Sequence, residues 1–337
     1  PPLPEAELAL IIRSVCKYIP SSPSSYEAAN DNGEIIASEK DEKKFYSGFD
    51  PAACVIDGGT IETIELPAKQ FYLNPWLTER SISLISAGAG VGKTWFSIGI
   101  IKALLNGLSF GPWVCRDPIP CLYLDGEMYI GDLIDRFRMT GQYNESNLKI
   151  ISNTLNSERG LALFNLFNAE DQDRMTDYLV KEGIKLWVID NIASLSDGHD
   201  ENTTQSWSPV NQWLIQLKGL GVSTILIHHE GKSGNQRGAS HRIDNLDTHI
   251  SLKQPQGYST EDGCRFVVHF EKKRVNQKGI PLIVDLEFQL IEDEKGMYQW
   301  SFEKPKRNKS DVVKELLAEY PDLPDGQIAK LADCDRT

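Results

Sequence analysis

Long apolar runs are missing from this chain of 337 residues. None approaches the roughly 20 apolar residues of a bilayer-crossing helix, which excludes a helical membrane span. Cysteine is scarce. The six residues Cys16, Cys54, Cys115, Cys121, Cys264 and Cys334 are scattered without a C-x-x-C pair. This argues against a zinc site or disulfide framework and for reduced thiols in a cytoplasmic protein. Net positive charge is also lacking: the formal charge is −13. Bulk electrostatics therefore do not attract nucleic acid, and any such contact must come from a local basic strip or pore. The opening "PPLPEAELAL" has neither an initiator Met nor a signal-peptide pattern, which suggests a piece of something longer. What remains, 40% hydrophobic and 25% charged residues, is the composition of an ordinary globular protein.

Texture divides the chain into four segments. In residues 1–20, Leu8, Ile11, Ile12, Val15 and Ile19 fall at helical spacing and predict a short amphipathic helix. Residues 21–65 are polar, Ser-rich and charged at first, and read as a flexible linker. From residue 66 to 303, short apolar runs recur: "SISLIS", "IPCLYLD", "LKIIS", "IKLWVID" and "VSTILIH". Helix-like stretches separate several of them, with helix ends marked at Asn106-Gly107 and Gly183. This pattern predicts an α/β fold with a mainly parallel central sheet flanked by helices. The later runs "LDTHISL", "CRFVVHFE", "LIVDLEFQ" and "MYQWSF" alternate and predict antiparallel hairpins at its C-terminal edge. Residues 304–337 begin with the basic "KPKRNK" and continue as a short helical tail. Its two helical patterns fit either a partial helix-turn-helix or a two-helix cap.

Chemistry concentrates at "SAGAGVGKT", residues 86–94. It ends as a phosphate loop but holds Ala87 where the G-x-x-x-x-G-K-[ST] pattern starts with glycine. That position shapes the turn and offers no side chain to phosphate. The stretch lies between the strand "SISLIS" and the helix "TWFSIGIIKALLNG", where backbone N–H groups and a helix N-terminus hold phosphates. Gly88, Ala89, Gly90, Val91, Gly92 and Trp95 thus join Lys93 and Thr94 as candidate nucleotide contacts. Lys93 would reach the β/γ oxygens of ATP and Thr94 would ligate Mg²⁺. Phosphoryl transfer also needs a carboxylate for the metal, a group for the water and extra positive charge. "IKLWVID" delivers Asp190 to a strand end as the metal carboxylate. "CLYLDGE" delivers Asp125 and Glu127, the latter a candidate for polarising water. Arg136 lies on the next helix, near the nucleotide or in a surface ion pair. "ILIHH" ends a further strand with His228 and His229, of which alternation lets only one face the γ-phosphate.

Taken in order, "SAGAGVGKTWFSIGIIKALLNG", "CLYLDGEMYIGDLIDRF", "LWVIDNIASL", "TILIHHEGKSG" and "RGASHRIDN" resemble the RepA-like, AAA_25-like branch of RecA-type P-loop ATPases. That branch contains hexameric replicative DNA helicases of plasmids and phages. The resemblance implies a RecA-type P-loop NTPase fold, Lys93 and Thr94 as the Walker A pair, Asp190 as the Walker B carboxylate and Glu127 as the catalytic glutamate. It implies His228, in preference to His229, as the γ-phosphate sensor. Arg237 matches a position implicated as an arginine finger, and "FEKKRVNQKG" resembles a hairpin that supplies Lys272 and Arg274 across a subunit interface. Which of the three cations acts as the finger stays open. The implied partners are single-stranded DNA, further copies of the chain in a hexameric ring, and a linked or cooperating primase. The primase is implied by residues 1–20, which resemble the end of a primase C-terminal domain. Lys232, Arg237 and Arg242 follow the histidines, where a loop would meet strand phosphates. Two rivals share the phosphate site: a filament-forming recombinase, and a nucleotide-switched regulator that binds duplex DNA.

Overall fold

Every apolar run singled out above becomes a strand, and the way those strands alternate decides which side chains meet. The computed structural model describes residues 55–61, 63–64, 68–196, 204–230, 245–274, 283–305, 313, 316–317, 320–321 and 323–331. The chain divides into two units, Pro1–Ala68 and Lys69–Thr337. In the first, the described residues form a 3-10 turn at Gly58–Thr60, where the Thr60 hydroxyl donates to the Asp57 carbonyl at 2.8 Å. The predicted helix of residues 5–19 and most of the 21–65 linker lie outside the described residues.

The second unit opens with a small antiparallel pair, β1 (Phe71–Leu73) and β2 (Leu77–Thr78). Then follow β3 (Ile82–Ala87), α1 (Lys93–Asn106), β4 (Cys121–Asp125), α2 (Ile130–Met139) and β5 (Leu148–Ser152). After these come α3 (Asn153–Glu158), α4 (Ala169–Lys181), β6 (Leu186–Asp190), α5 (Thr204–Gly219) and β7 (Ser223–His229). The chain continues through β8 (Thr248–Lys253), β9 (Arg265–Lys273), β10 (Leu286–Glu292), β11 (Tyr298–Glu303) and α6 (Asp325–Leu331). β3 to β11 form one nine-stranded sheet in the order β11-β10-β9-β8-β3-β7-β6-β4-β5. The six strands from β8 to β5 run parallel, whereas β9, β10 and β11 join antiparallel. The expected α/β architecture is therefore present. One strand departs from expectation. The alternation of "LDTHISL" predicts a strand of the antiparallel hairpins, but β8 pairs parallel with β3 and antiparallel only with β9. It is buried at five of its six positions, the burial a strand acquires when flanked on both edges.

Each face of the sheet carries its own core. Ile85, Ala87, Tyr123, Val188, Ile225 and Ile227 pack on the α1 face. Leu84, Leu124, Ile189, Leu226 and Trp207 of α5 pack on the other. α1 also packs on an aromatic cluster carried by the antiparallel strands, with Phe96 5.5 Å from Phe266 and 5.8 Å from Phe288. Aromatic pairs of this kind add about 0.5–1.5 kcal/mol each beyond area burial. The helix stops at Gly107, whose φ of 65° lets its N–H return to the Ala103 carbonyl; glycine reaches that region without a Cβ penalty. Of the two helical patterns in the tail, α6 matches the second, and the first falls mostly outside the described residues. No helix among the described residues is long and apolar enough to cross a membrane.

Candidate active site

Successive side chains on a strand point to opposite faces, so a strand's core residues reveal where its last residue points. Tyr123 packs on the α1 face, as does Val188, which places Asp125 and Asp190 two positions later on that same face. Ile225 and Ile227 do so for β7, which places His229 there as well. All three strands end at the edge where β3 turns into α1. The crevice outside strand C-termini is where open α/β sheets bind ligands. Here it is a cleft of about 460 Å³ lined by Lys93, Thr94, Asp125, Glu127, Asp190 and His229 among others.

Lys93 is buried, and its Nζ donates to the Ala87 and Gly88 carbonyls at 2.9 Å each and lies 3.0 Å from His229 Nδ1. Burial lowers the ammonium's pKa, against the opposing pull of Asp190, Glu230 and Glu127. Thr94 Oγ1 donates to Asp190 Oδ2 at 2.9 Å, and the Tyr123 hydroxyl donates to the same oxygen at 2.6 Å. Burial raises the Asp190 pKa, while those hydrogen bonds hold it down. Its neighbour in register, Asp125, is pushed up to about 7, by burial first and by the charge of Asp190 second. A hydroxyl beside two crowded carboxylates is a hard-oxygen donor set whose repulsion a divalent cation would relieve. The residues therefore fit Mg²⁺.

Glu127 sits just past β4 and accepts from Asn191 Nδ2 at 2.5 Å, with His229 Nε2 3.8 Å away. Asn191 is itself held, its Oδ1 accepting from Ser194 N at 3.0 Å. Trp95 lines the cleft with Arg136, whose guanidinium lies 5.1 Å from the indole centroid. Tyr298 of β11 packs on that indole at 5.4 Å. Lys102 of α1 donates to the Phe137 and Gly141 carbonyls and so ties down the end of α2, which carries Arg136. The phosphate loop rests on the antiparallel strands. Gly92 has φ 123°, and a Cβ built there would meet Cys264 Sγ at 2.6 Å and Phe266 at 2.9 Å. Ala87 closes β3 fully buried, its carbonyl accepting from both Lys93 Nζ and Glu230 N.

One expectation is corrected. His229, not His228, faces the cleft. His228 follows Leu226 onto the opposite face, so alternation excludes it from the phosphate side. Lys272 and Arg274 are not in the cleft. β9 runs antiparallel, and Lys272 and Lys273 stand opposite His249 and Thr248 at the start of β8. They therefore lie at the opposite edge of the sheet. Lys232, Arg237 and Arg242 fall outside the described residues. Asn191, Tyr123 and Tyr298 were missed. Asn191 directly follows the "LWVID" run, and that adjacency to a cleft carboxylate was a usable signal. Nothing local links Tyr298 to Trp95.

The profile of the AAA domain family AAA_25 matches residues 51–235, more than half of the 337-residue chain. The chain belongs to this family. Its phosphate loop follows β3, a central strand of the parallel part of the sheet. Among solved structures, a KaiC-like protein from the hyperthermophilic archaeon Pyrococcus horikoshii is similar, at 16% identity and a TM-score of 0.46. That alignment covers 68% of this chain and 93% of the other. No curated protein matches the chain.

Proposed function

We propose that the protein is an ATP-hydrolysing motor of the replicative DNA helicase kind, moving on single-stranded DNA as a ring with ATP between subunits. The observation that carries this reading is the division of charge between the two edges of the sheet. Among the described residues lining the cleft, the cations are Lys93 and Arg136, and Arg136 is stacked on Trp95. Lys272 and Arg274 stand at the far edge, with Arg274 N donating to the Asp247 carbonyl at 2.8 Å. A head-to-tail assembly brings the far edge of one copy to the cleft of the next, and such heterologous contacts close into rings. Lys272, Arg274 or Arg237 then supplies the positive charge that phosphoryl transfer requires. Lys232 and Arg242 are assigned to strand phosphates, and a linked or cooperating primase is a further proposed partner.

In this reading the loop amides and Lys93 hold the β- and γ-phosphates, and Glu127, oriented by Asn191, takes the proton of the attacking water. His229 sits between Lys93 and Glu127, placed to respond to the γ-phosphate. Thr94 and Asp190 would hold Mg²⁺, which when bound would neutralise charge on the phosphate oxygens. Trp95 and Arg136 line the cleft and offer an aromatic and cationic wall suited to a nucleobase, with Tyr298 packed on the indole behind them. Removing the indole by Trp95→Ala should weaken nucleotide affinity about tenfold, read by titration with a fluorescent ATP analogue. An unchanged affinity would take the base away from that wall.

The motor itself is tested with a forked duplex. Wild type separates the strands with ATP, and Lys93→Ala does not. Hydrolysis without strand separation in any assembled state would sink the helicase reading, and long filaments with a non-hydrolysable ATP analogue would favour a recombinase.

A further inference from the structure

Behind the cleft, on the sheet face away from α1, buried Ser86 and His249 and half-buried Glu230 form a chain that the hydrolysis scheme does not use. Ser86 Oγ donates to Glu230 Oε1 at 2.6 Å and lies 2.9 Å from His249 Nε2. Ser86 is fully buried and His249 is 2% exposed. A hydroxyl has one proton. With that proton given to Glu230, the other contact must be a donation from His249 Nε2–H to Ser86 Oγ, which fixes the imidazole tautomer. The direction is therefore His249 to Ser86 to Glu230. Burial lowers the His249 pKa while Glu271 and Glu230 raise it, in keeping with a neutral ring.

Glu230 immediately follows His229, and its own N–H donates to the Ala87 carbonyl at 2.9 Å. That carbonyl also accepts from Lys93 Nζ. Both anchors of Glu230 thus lie on consecutive residues of β3, and together they clamp the end of β7 in the register that sets His229 opposite Ala87. A bulge between β8 and β9 places Lys272 opposite His249, so the chain runs back toward the edge that bears the proposed intersubunit cations.

We propose that Ser86, His249 and Glu230 are positioning residues that hold His229 against Lys93 and Glu127, serving nucleotide turnover from the reverse side of the sheet without touching the nucleotide. This rests on the ATPase reading given above. Buried networks of this kind act as a unit, so their variants are non-additive with the group they position.

Ser86→Ala should lower kcat about tenfold with KM for ATP within about twofold of wild type. On a His229→Ala background the same change should have no further effect. His249→Gln, which keeps an N–H donor, should retain most of the turnover that His249→Leu loses. An unchanged kcat in Ser86→Ala overturns the proposal, as does a loss that multiplies with that of His229→Ala or equal losses in the Gln and Leu variants. A readout independent of turnover is the imidazole nitrogen chemical shifts of His249. The Nε2–H tautomer supports the chain, and the Nδ1–H tautomer overturns it. If wild type hydrolyses no ATP, the functional reading fails, while the tautomer still decides the network.

Discussion

Replacing Lys93 by alanine is expected to lower ATP turnover by about 10²–10³-fold, the usual cost of deleting a preorganised donor to developing negative charge. Lys93 touches the Ala87 and Gly88 carbonyls and His229, and its burial removes competing water. Burial lowers the pKa of its ammonium, and Asp190, Glu230 and Glu127 oppose that shift. Alanine removes the cation without orphaning the strand end, because the Ala87 carbonyl still accepts from Glu230 N. The variant should therefore fold. Phosphate release at saturating ATP measures the effect, with thermal unfolding as the control. A folded variant within about threefold of wild type would remove Lys93 from the chemistry.

Glu127→Gln carries the second large expected effect. A positioned general base contributes about 10²–10⁴-fold, and the amide cannot accept the proton. Glu127 lies just beyond β4 with its side chain 66% exposed, so the isosteric amide leaves core packing in place. A glutamine can still offer an oxygen to Asn191 Nδ2. Turnover should therefore fall by about 10²–10⁴-fold while nucleotide affinity holds. Single-turnover quench with a parallel binding titration separates the two. Parallel loss of affinity and rate would recast Glu127 as a binding residue, and an unchanged rate would move the base elsewhere.

Much of this site was legible in the sequence because it is built from strand ends. An apolar run that closes on Asp125, Asp190 or a histidine announces both the strand and the edge to which it delivers the side chain. The same logic failed at "HH", where the sequence shows that the two rings diverge but not which face α1 covers. Ile225 and Ile227, packed beneath α1, decide for His229. The parallel pairing of β8 was hidden for a related reason. A half-polar run such as "LDTHISL" looks like a hairpin strand, and its Thr248 and His249 are buried where tertiary partners receive them. Tyr298 and Cys264 reach the loop through sheet order, which no local pattern encodes.

Gly92 has a consequence for where the domain ends. The phosphate loop lies early in the fold, yet a Cβ at its Gly92 would run into Cys264 and Phe266, and β3 finds its second edge only in β8. The family match stops at residue 235, before either arrives. A chain cut there would expose the β3 edge as a bare pairing surface and leave the glycine turn unsupported. The smallest autonomous form of the domain is therefore expected to extend at least through the antiparallel strands.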